Sequence, residues 1–250
     1  MKNKKKILLI GGSGTLGSSI IKSKIFNNIE APEKKNLNLL KSSSIKKYLN
    51  KKYDLIINCA AMARMKDCEK NSFKAVKINI FGTLNLVKEI INYRKKFKKK
   101  IKIIHISTDG VYNSTKGNYF ENSRLSPYNV YGWTKLGSEI IIKTLNEYVI
   151  IRTRFFDKNN IKYKTAASDI FTSMIDVQNL VKEISDISKT NFNGIINVGG
   201  KRKSDFANYR KFKYSIKPCK RKDILDNLKF KIAKDSSMNL SLLKRIKNRL

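Results

Sequence analysis

One histidine, three cysteines and three prolines are spread through 250 residues. With His105 alone, His-based metal chemistry and a Ser-His-Asp triad are excluded. His105 lies inside the apolar run 101–106 and reads as a packed strand residue rather than a catalyst. Cys59, Cys68 and Cys219 are scattered, odd in number and without ligand spacing, so no metal site is read from them. No stretch rich in Gly, Ser or Pro forms a linker, so any lobes should be fused. No apolar run approaches the roughly 18 residues of a membrane span. The basic Met1 to Lys6 is followed by only a short apolar run before glycines, unlike a signal peptide. The expectation is a soluble, cytoplasmic protein with no membrane span. Acidic residues are also scarce, 19 against 54 Lys and Arg, which gives a formal charge of +35. Such a charge suits a nucleic-acid or anionic-membrane partner. The lysines, however, run along the whole length and accompany abundant Asn and Ile. The reading is therefore compositional, with no specific nucleic-acid partner. The dense block Arg94 to Lys100 falls where a helix should end, and cations suit a helix C-terminus.

What the chain does contain is an alternation of strands and helices. A hydrophobic content of 41% is ordinary for one core with a small second lobe. Strands are expected at 6–10, 54–58, 101–106 and 148–153, with a weak one at 29–31. Helices are expected at 14–23, 42–50, 71–93 and 130–146. Along 71–93, Phe73, Val76, Ile80, Leu84, Val87 and Ile91 recur at helical spacing and predict a core-facing stripe. Further on, a helix at 176–188 capped by Asp176, a strand at Gly194 to Val198 and a helix capped by Ser204 are expected. This order predicts an α/β fold, a Rossmann-type doubly wound parallel sheet covered on both faces.

Two motifs carry chemistry. The run Ile7-Leu8-Leu9-Ile10 suits a buried parallel strand and leads straight into Gly11-Gly12-Ser13-Gly14-Thr15-Leu16-Gly17. Glycines there permit a tight turn and close backbone approach to a pyrophosphate, with the following helix N-terminus supplying free N–H groups. Tyr131 and Lys135 stand four residues apart, on one helix face. A Lys ammonium beside a phenol lowers the Tyr pKa, and such a Tyr exchanges a proton with a carbonyl or alcohol oxygen. Thr108, at a strand end, can hold that same oxygen. Asn58, Ala60 and Ala61 close a second strand at the sheet edge where cofactors bind. After the weak strand come Glu33, Lys34 and Lys35. The lysines suit a 2′-phosphate and Glu33 a ribose hydroxyl, with a lean to NADPH over NADH.

With these residues in view, the chain resembles the extended short-chain dehydrogenase/reductases. Within them it is most similar to the dTDP-4-dehydrorhamnose reductase group of sugar-nucleotide reductases. The matching segments run from Gly11–Gly17 through Asp54–Ala61, Asp67-Cys68-Glu69, Asn79 with Thr83, and Ser107-Thr108-Asp109. They continue through Ser126–Gly132, Thr134–Gly137, Ile151-Arg152-Thr153 and Asp176-Val177 to Ser236–Leu240. The Ser-Thr-Asp triplet and the Asn-Val-Tyr-Gly run favour the reductases over the sugar epimerases, which usually show a Ser-Ser pair. Two departures stand out. Gly110 follows Asp109 where relatives usually carry an aromatic residue, and the stretch between Phe156 and Phe171 is short where relatives carry an extra helix.

The resemblance implies a Rossmann domain over 1–153 that binds NAD(P), and a small, trimmed substrate-binding lobe with returning elements over 154–250. It implies NADPH or NADH reduction of a 4-keto sugar nucleotide for a deoxysugar of a surface polysaccharide. Thr108, Tyr131 and Lys135 would be catalytic, with Tyr131 the proton donor. Gly11, Gly14, Thr15, Leu16, Gly17, Asn58, Ala60, Ala61, Tyr131 and Lys135 would bind the cofactor, without a metal. Alternatives are an epimerase with tightly held NAD, and a non-catalytic cofactor-binding regulatory relative. A homodimer is left open.

Overall fold

Each of the expected strands forms, and all but the weak two-residue strand at Ile29–Glu30 are largely buried, because apolar residues occupy most positions on both faces. A computed structural model describes residues 5–226, 228 and 230–248. The first four residues of the basic N-terminus lie outside the described residues. In chain order the elements of the first part are β1 (Ile7–Ile10), α1 (Thr15–Ser23), β2 (Ile29–Glu30), α2 (Ser42–Leu49) and β3 (Leu55–Asn58). Then come α3 (Met65–Lys70), α4 (Ser72–Val76), a π-helical turn (Lys77–Phe81), α5 (Gly82–Phe97), β4 (Lys102–Thr108), α6 (Val130–Ile142) and β5 (Tyr148–Thr153). The second part holds β6 (Phe155–Phe156), β7 (Thr165–Ala167), β8 (Phe171–Thr172), β9 (Ile175–Asp176), α7 (Val177–Lys189) and β10 (Gly194–Val198). It ends with β11 (Lys203–Ser204), α8 (Asp205–Arg210), β12 (Lys217–Cys219), α9 (Arg221–Leu225) and α10 (Ser241–Lys247).

The main sheet has the order β10-β5-β4-β3-β1-β2 and is parallel throughout. Side-chain alternation divides its core in two. Ile7, Leu9, Ile57, Ile104 and Ile151 face α1 and α7, while Leu8, Ile10, Ile56, Ile103 and Ile150 face α2, α5 and α6. The chain leaves β1 toward β2 on one side and returns to β3 on the other. The strand order therefore reverses between β1 and β3, the place where a crevice opens at the carboxyl ends of such sheets. Both α7 and β10 return to this sheet from the second part of the chain. The rest of that part pairs in short two-stranded units, β6 with β9, β7 with β12 and β8 with β11.

Three local expectations are corrected. The predicted helix over 71–93 is broken by the π turn, and α3 before it had no counterpart in the sequence reading. In the predicted stripe only Val87 is fully buried; Phe73 is 70% exposed and Leu84 47%. The buried face is instead Ala75, Asn79, Thr83, Leu86, Ile90 and Tyr93. One extra residue in the π turn rotates the flanking positions by about 100° against each other, so a single 3.6-residue period cannot fit both sides. Asp176 does occupy the N-cap of α7, but its side chain makes no capping bond there; it accepts from the Lys158 backbone N–H at 3.2 Å. Ser204 caps α8 as expected, accepting from the Ala207 N–H at 3.1 Å.

Candidate functional site

The glycine loop lies at the switch point. Gly11 adopts φ 87°, and a Cβ there would stand 2.7 Å from the Ala60 nitrogen, because the loop presses on the Cys59–Ala60 backbone beyond β3. A Cβ on Gly17 would collide with the Gly11 carbonyl. Those two glycines are thus required by the chain's own packing. Gly14 differs: its φ is −76° and a Cβ would meet nothing closer than 3.5 Å. Gly14 is the N-cap of α1, no side chain caps that helix, and its first turn, with Thr15, Leu16 and Gly17, holds no acidic residue. Its N–H groups and dipole are left to an outside anion. The residues fit the pyrophosphate of a dinucleotide.

Beyond β2 the chain passes the same loop, since a Cβ on Gly12 would lie 3.3 Å from Ala31 Cβ. Glu30, at the end of β2, is already engaged by Lys51 at 2.5 Å and by the Tyr53 hydroxyl. Glu33 is paired with Lys35 at 2.9 Å on the surface. Lys34 has no ion pair among the described residues.

Asn58 ends β3 fully buried, with Oδ1 accepting from the Ala60 N–H at 3.1 Å. Ala60 and Ala61 follow it, half-buried, beside the glycine loop. Asn79 sits in the π turn and ties this edge to α6. Its Oδ1 accepts from the Met62 N–H at 2.8 Å, and its Nδ2 donates to the Met62 carbonyl at 3.1 Å and to Thr134 Oγ1 at 2.9 Å. The first turn of α6 is held on three sides. Asn129 accepts from the Gly132 N–H at 2.8 Å, Glu69 of α3 accepts from the Val130 N–H at 2.7 Å, and a side chain at Gly132 would collide with the Gly110 carbonyl.

That clamp sets Tyr131 against the end of β4, with the Thr108 hydroxyl near enough to the phenol to stabilise its ionised form. Burial and the Asp109 carboxylate push the phenol above its ordinary value, and Thr108 and Arg154 oppose the rise. Asp109 is buried. Its Oδ2 accepts from Ser236 Oγ at 2.6 Å and pairs with Arg154 Nε at 2.8 Å, and its Oδ1 accepts from Thr108 Oγ1 at 3.2 Å. Arg154 also faces Tyr128, Asp205 and Tyr209. Burial pushes the Asp205 carboxyl up to about 6. Thr153, paired in register with Thr108, is buried with no partner for its hydroxyl among the described residues.

Lys135 is buried and does not turn to the phenol. Its Nζ lies 3.1 Å from His105 Nε2, and burial brings its ammonium down to about 8. The expectation that Lys135 lowers the Tyr131 pKa is corrected: one helical turn further on, Lys135 faces β4 under α6, while Tyr131 faces the carboxyl end of β4. Below this lies a buried ion pair. Glu139 receives Arg152 Nη2 at 2.7 Å and Ser107 Oγ at 2.5 Å, and Arg152 Nη1 donates to the Tyr112 hydroxyl at 2.9 Å. Burial pushes the Cys59 thiol up to about 12.

The structure therefore brings the glycine loop, Asn58, Ala60, Ala61, Thr108, Tyr131 and Lys135 to one edge of the sheet. Sequence reasoning assigned no role to Arg154, Ser236 or Tyr128, and it read His105 as packing alone. Ser236 lay in a run already singled out, and Arg154 directly follows another. Their meeting at Asp109, 127 residues before Ser236, has no signal in spacing. Among the described residues no group of three or more His, Cys, Asp or Glu side chains could hold a metal ion. No described helix is long and apolar enough to cross a membrane.

Comparison with known proteins gives a consistent picture. The model of the RmlD substrate binding domain matches residues 5–179. The spore coat polysaccharide biosynthesis protein SpsK of Bacillus subtilis is 29% identical over 189 residues, 73% of this chain and 62% of SpsK. The chain spans about half the length of the curated relatives it matches. Among solved structures, dTDP-4-dehydrorhamnose reductase from Bacillus anthracis in complex with NADP superposes with a TM-score of 0.86 at 23% identity, covering 97% of this chain and 93% of that one. A hypothetical dTDP-4-dehydrorhamnose reductase from Sulfolobus tokodaii is 27% identical with a TM-score of 0.79, over 96% and 94% of the two chains.

Proposed function

The chain belongs to the RmlD substrate binding domain family, and from that premise we propose that it reduces the keto group of a 4-keto sugar nucleotide with NADPH, in the making of a surface polysaccharide. The observation that carries the reading is the convergence of Thr108 and Tyr131 at the carboxyl end of β4, in a sheet whose switch point carries an uncapped helix N-terminus. NADPH, when bound, supplies the hydride. The amides at Gly14, Thr15, Leu16 and Gly17 would take its pyrophosphate, with Gly11 shaping the turn. Asn58, Ala60 and Ala61 would border it, and Lys135 would hold the nicotinamide ribose. With Glu30 already engaged by Lys51 and Tyr53, no carboxylate is free at the end of β2 to select NADH. Lys34 stands nearby for a 2′-phosphate.

Thr108 and Tyr131 would both point at the keto oxygen. A phenol held above its ordinary value stays protonated, which suits a donor to an oxygen that gains negative charge. Tyr131 therefore gives its proton to that oxygen as the carbonyl becomes a hydroxyl. Asp109 holds Arg154 at the same pocket, and Ser236 fixes Asp109. Lobe residues 154–250 would take the sugar nucleotide, and the positive surface would attract its phosphates. The exposed apolar side chains Leu84, Trp133 and Ile140 are compatible with a homodimer.

The test is NADPH oxidation in single turnover against a panel of 4-keto sugar nucleotides. Wild type should reduce at least one. Tyr131→Phe should lose about 10²–10⁴ in rate, the usual worth of general acid catalysis, with cofactor affinity little changed. Equal rates in Tyr131→Phe and wild type would overturn the proton-donor assignment. A wild type that binds NADPH but reduces no keto sugar would overturn the reductase reading.

A further inference from the structure

Four buried polar groups meet under α6: Asn58, His105, Lys135 and Ser138, each at most 2% exposed. Their hydrogen bonds can be satisfied in only one way. Asn58 Oδ1 is claimed by the Ala60 N–H, which fixes the orientation of the amide and turns Nδ2, a donor, toward His105 Nδ1 at 3.1 Å. Nδ1 must therefore accept, and the ring proton of a neutral imidazole sits on Nε2. The other side agrees. Ser138 Oγ donates to the Lys135 carbonyl at 2.7 Å, so toward His105 Nε2, 3.0 Å away, the hydroxyl oxygen presents a lone pair. Burial and the neighbouring lysine keep this ring neutral, well below its ordinary value.

Lys135 Nζ lies 3.1 Å from the same Nε2, so the single Nε2–H faces both Ser138 Oγ and Nζ as a three-centre donor. An ammonium has only donors and would set N–H against N–H, whereas an amine presents a lone pair. We propose that His105 is a positioning residue which, locked as the Nε2–H tautomer by Asn58 and Ser138, holds Lys135 in place and disfavours its ammonium form. Other groups act on Lys135. Glu139 of α6 favours the ammonium, but its carboxylate is already taken by Arg152 and Ser107. Burial opposes Glu139, and the Cys59 thiol beyond β3, neutral with its pKa pushed up to about 12, adds no charge. The inference goes deeper into the site of the proposed function and rests on that reading only for its catalytic meaning. It makes the charge on Lys135 a variable near neutral pH rather than a fixed cation.

Because His105 is the only histidine, ¹⁵N-histidine labelling of the untagged chain reports a single ring. The ring nitrogens should show the Nε2–H tautomer throughout pH 6–9, with no imidazolium. They should also show a small step with a midpoint near pH 8, the ionisation of Lys135. The step should vanish in Lys135→Met. In Asn58→Leu, which removes the donor to Nδ1, the tautomer bias should fall and the midpoint should rise by half a pH unit or more, since Nε2 can then accept from the ammonium. An Nδ1–H ring in wild type overturns the proposal, as does the absence of a Lys135-dependent step or an unmoved midpoint in a folded Asn58→Leu. NADPH added to the same wild-type sample separates the two readings. Failure to bind it would count against the reductase, while the tautomer and the step would stand.

Discussion

At the residue scale the glycine motif divides into two kinds of position. Gly11 and Gly17 are glycine because the chain's own backbone crowds them, whereas Gly14 is free of contact closer than 3.5 Å. Substitutions should separate accordingly. Gly14→Val leaves the fold intact and blocks approach of a pyrophosphate to α1, so calorimetry should find NADPH affinity lost while circular dichroism is unchanged. Gly17→Ala should instead lower stability by about 1–3 kcal/mol, the usual cost of overpacking, measured by urea denaturation. Equal behaviour of the two variants would refute this division. The same scale extends the reading of His105, which is packed inside β4 as expected. A histidine within an apolar strand reads as packing, and only its neighbours on β3 and α6 show that both ring nitrogens are in use.

At the element scale the π turn decides what the long helical stretch presents. It points Asn79 inward, where one side chain satisfies both backbone groups of Met62 and reaches Thr134 on α6. Asn79→Leu keeps the size and strands those groups. Each buried unpaired group costs about 1–3 kcal/mol, so the variant should lose at least that much in urea. Because the tie runs to the turn carrying Tyr131, turnover should fall along with stability. A variant as stable as wild type would mean that Asn79 is not the tie described. The misplaced stripe has the same origin: Phe73 and Leu84 share a period with Val87 in the sequence, but not a face in the fold.

At the scale of the whole molecule, the charge of +35 is not gathered into one groove by any motif. Its lysines lie on most elements, including exposed positions of α2, α4 and α5. Duplex DNA binding should therefore be weak, indifferent to sequence and lost steeply between 50 and 200 mM salt, on the order of 10³-fold or more for several phosphate contacts. Fluorescence anisotropy with two unrelated duplexes checks this, and tight selective binding at physiological salt would reverse the compositional reading. The core itself is conventional for a doubly wound sheet. Two apolar layers, one on each side, hold the strands, and the buried Arg152–Glu139 pair links β5 to α6 just below the site. Removing one partner of such a pair leaves a charge uncompensated, which makes this network a determinant of where α6 lies.

The amino-acid sequence by itself determined the sheet and which residues gather at its carboxyl edge as the candidate site. Strand runs apolar at consecutive positions, such as Ile7–Ile10 and Leu55-Ile56-Ile57, are buried on both faces between two helical layers, and G-G-x-G-x-x-G between a strand and a helix has few other uses. Tyr131 and Lys135 were legible because four residues is one helical turn, and Thr108 because it ends a strand. Tertiary structure alone decided which way those side chains turn. Lys135 meets His105 instead of the phenol, Arg154 and Ser236 converge on Asp109, and a π turn resets the face of a helix. These outcomes depend on contacts between segments 30 to 127 residues apart. Local periodicity carries no information about such contacts, because they are fixed by how elements pack and by the need to pair every buried polar group.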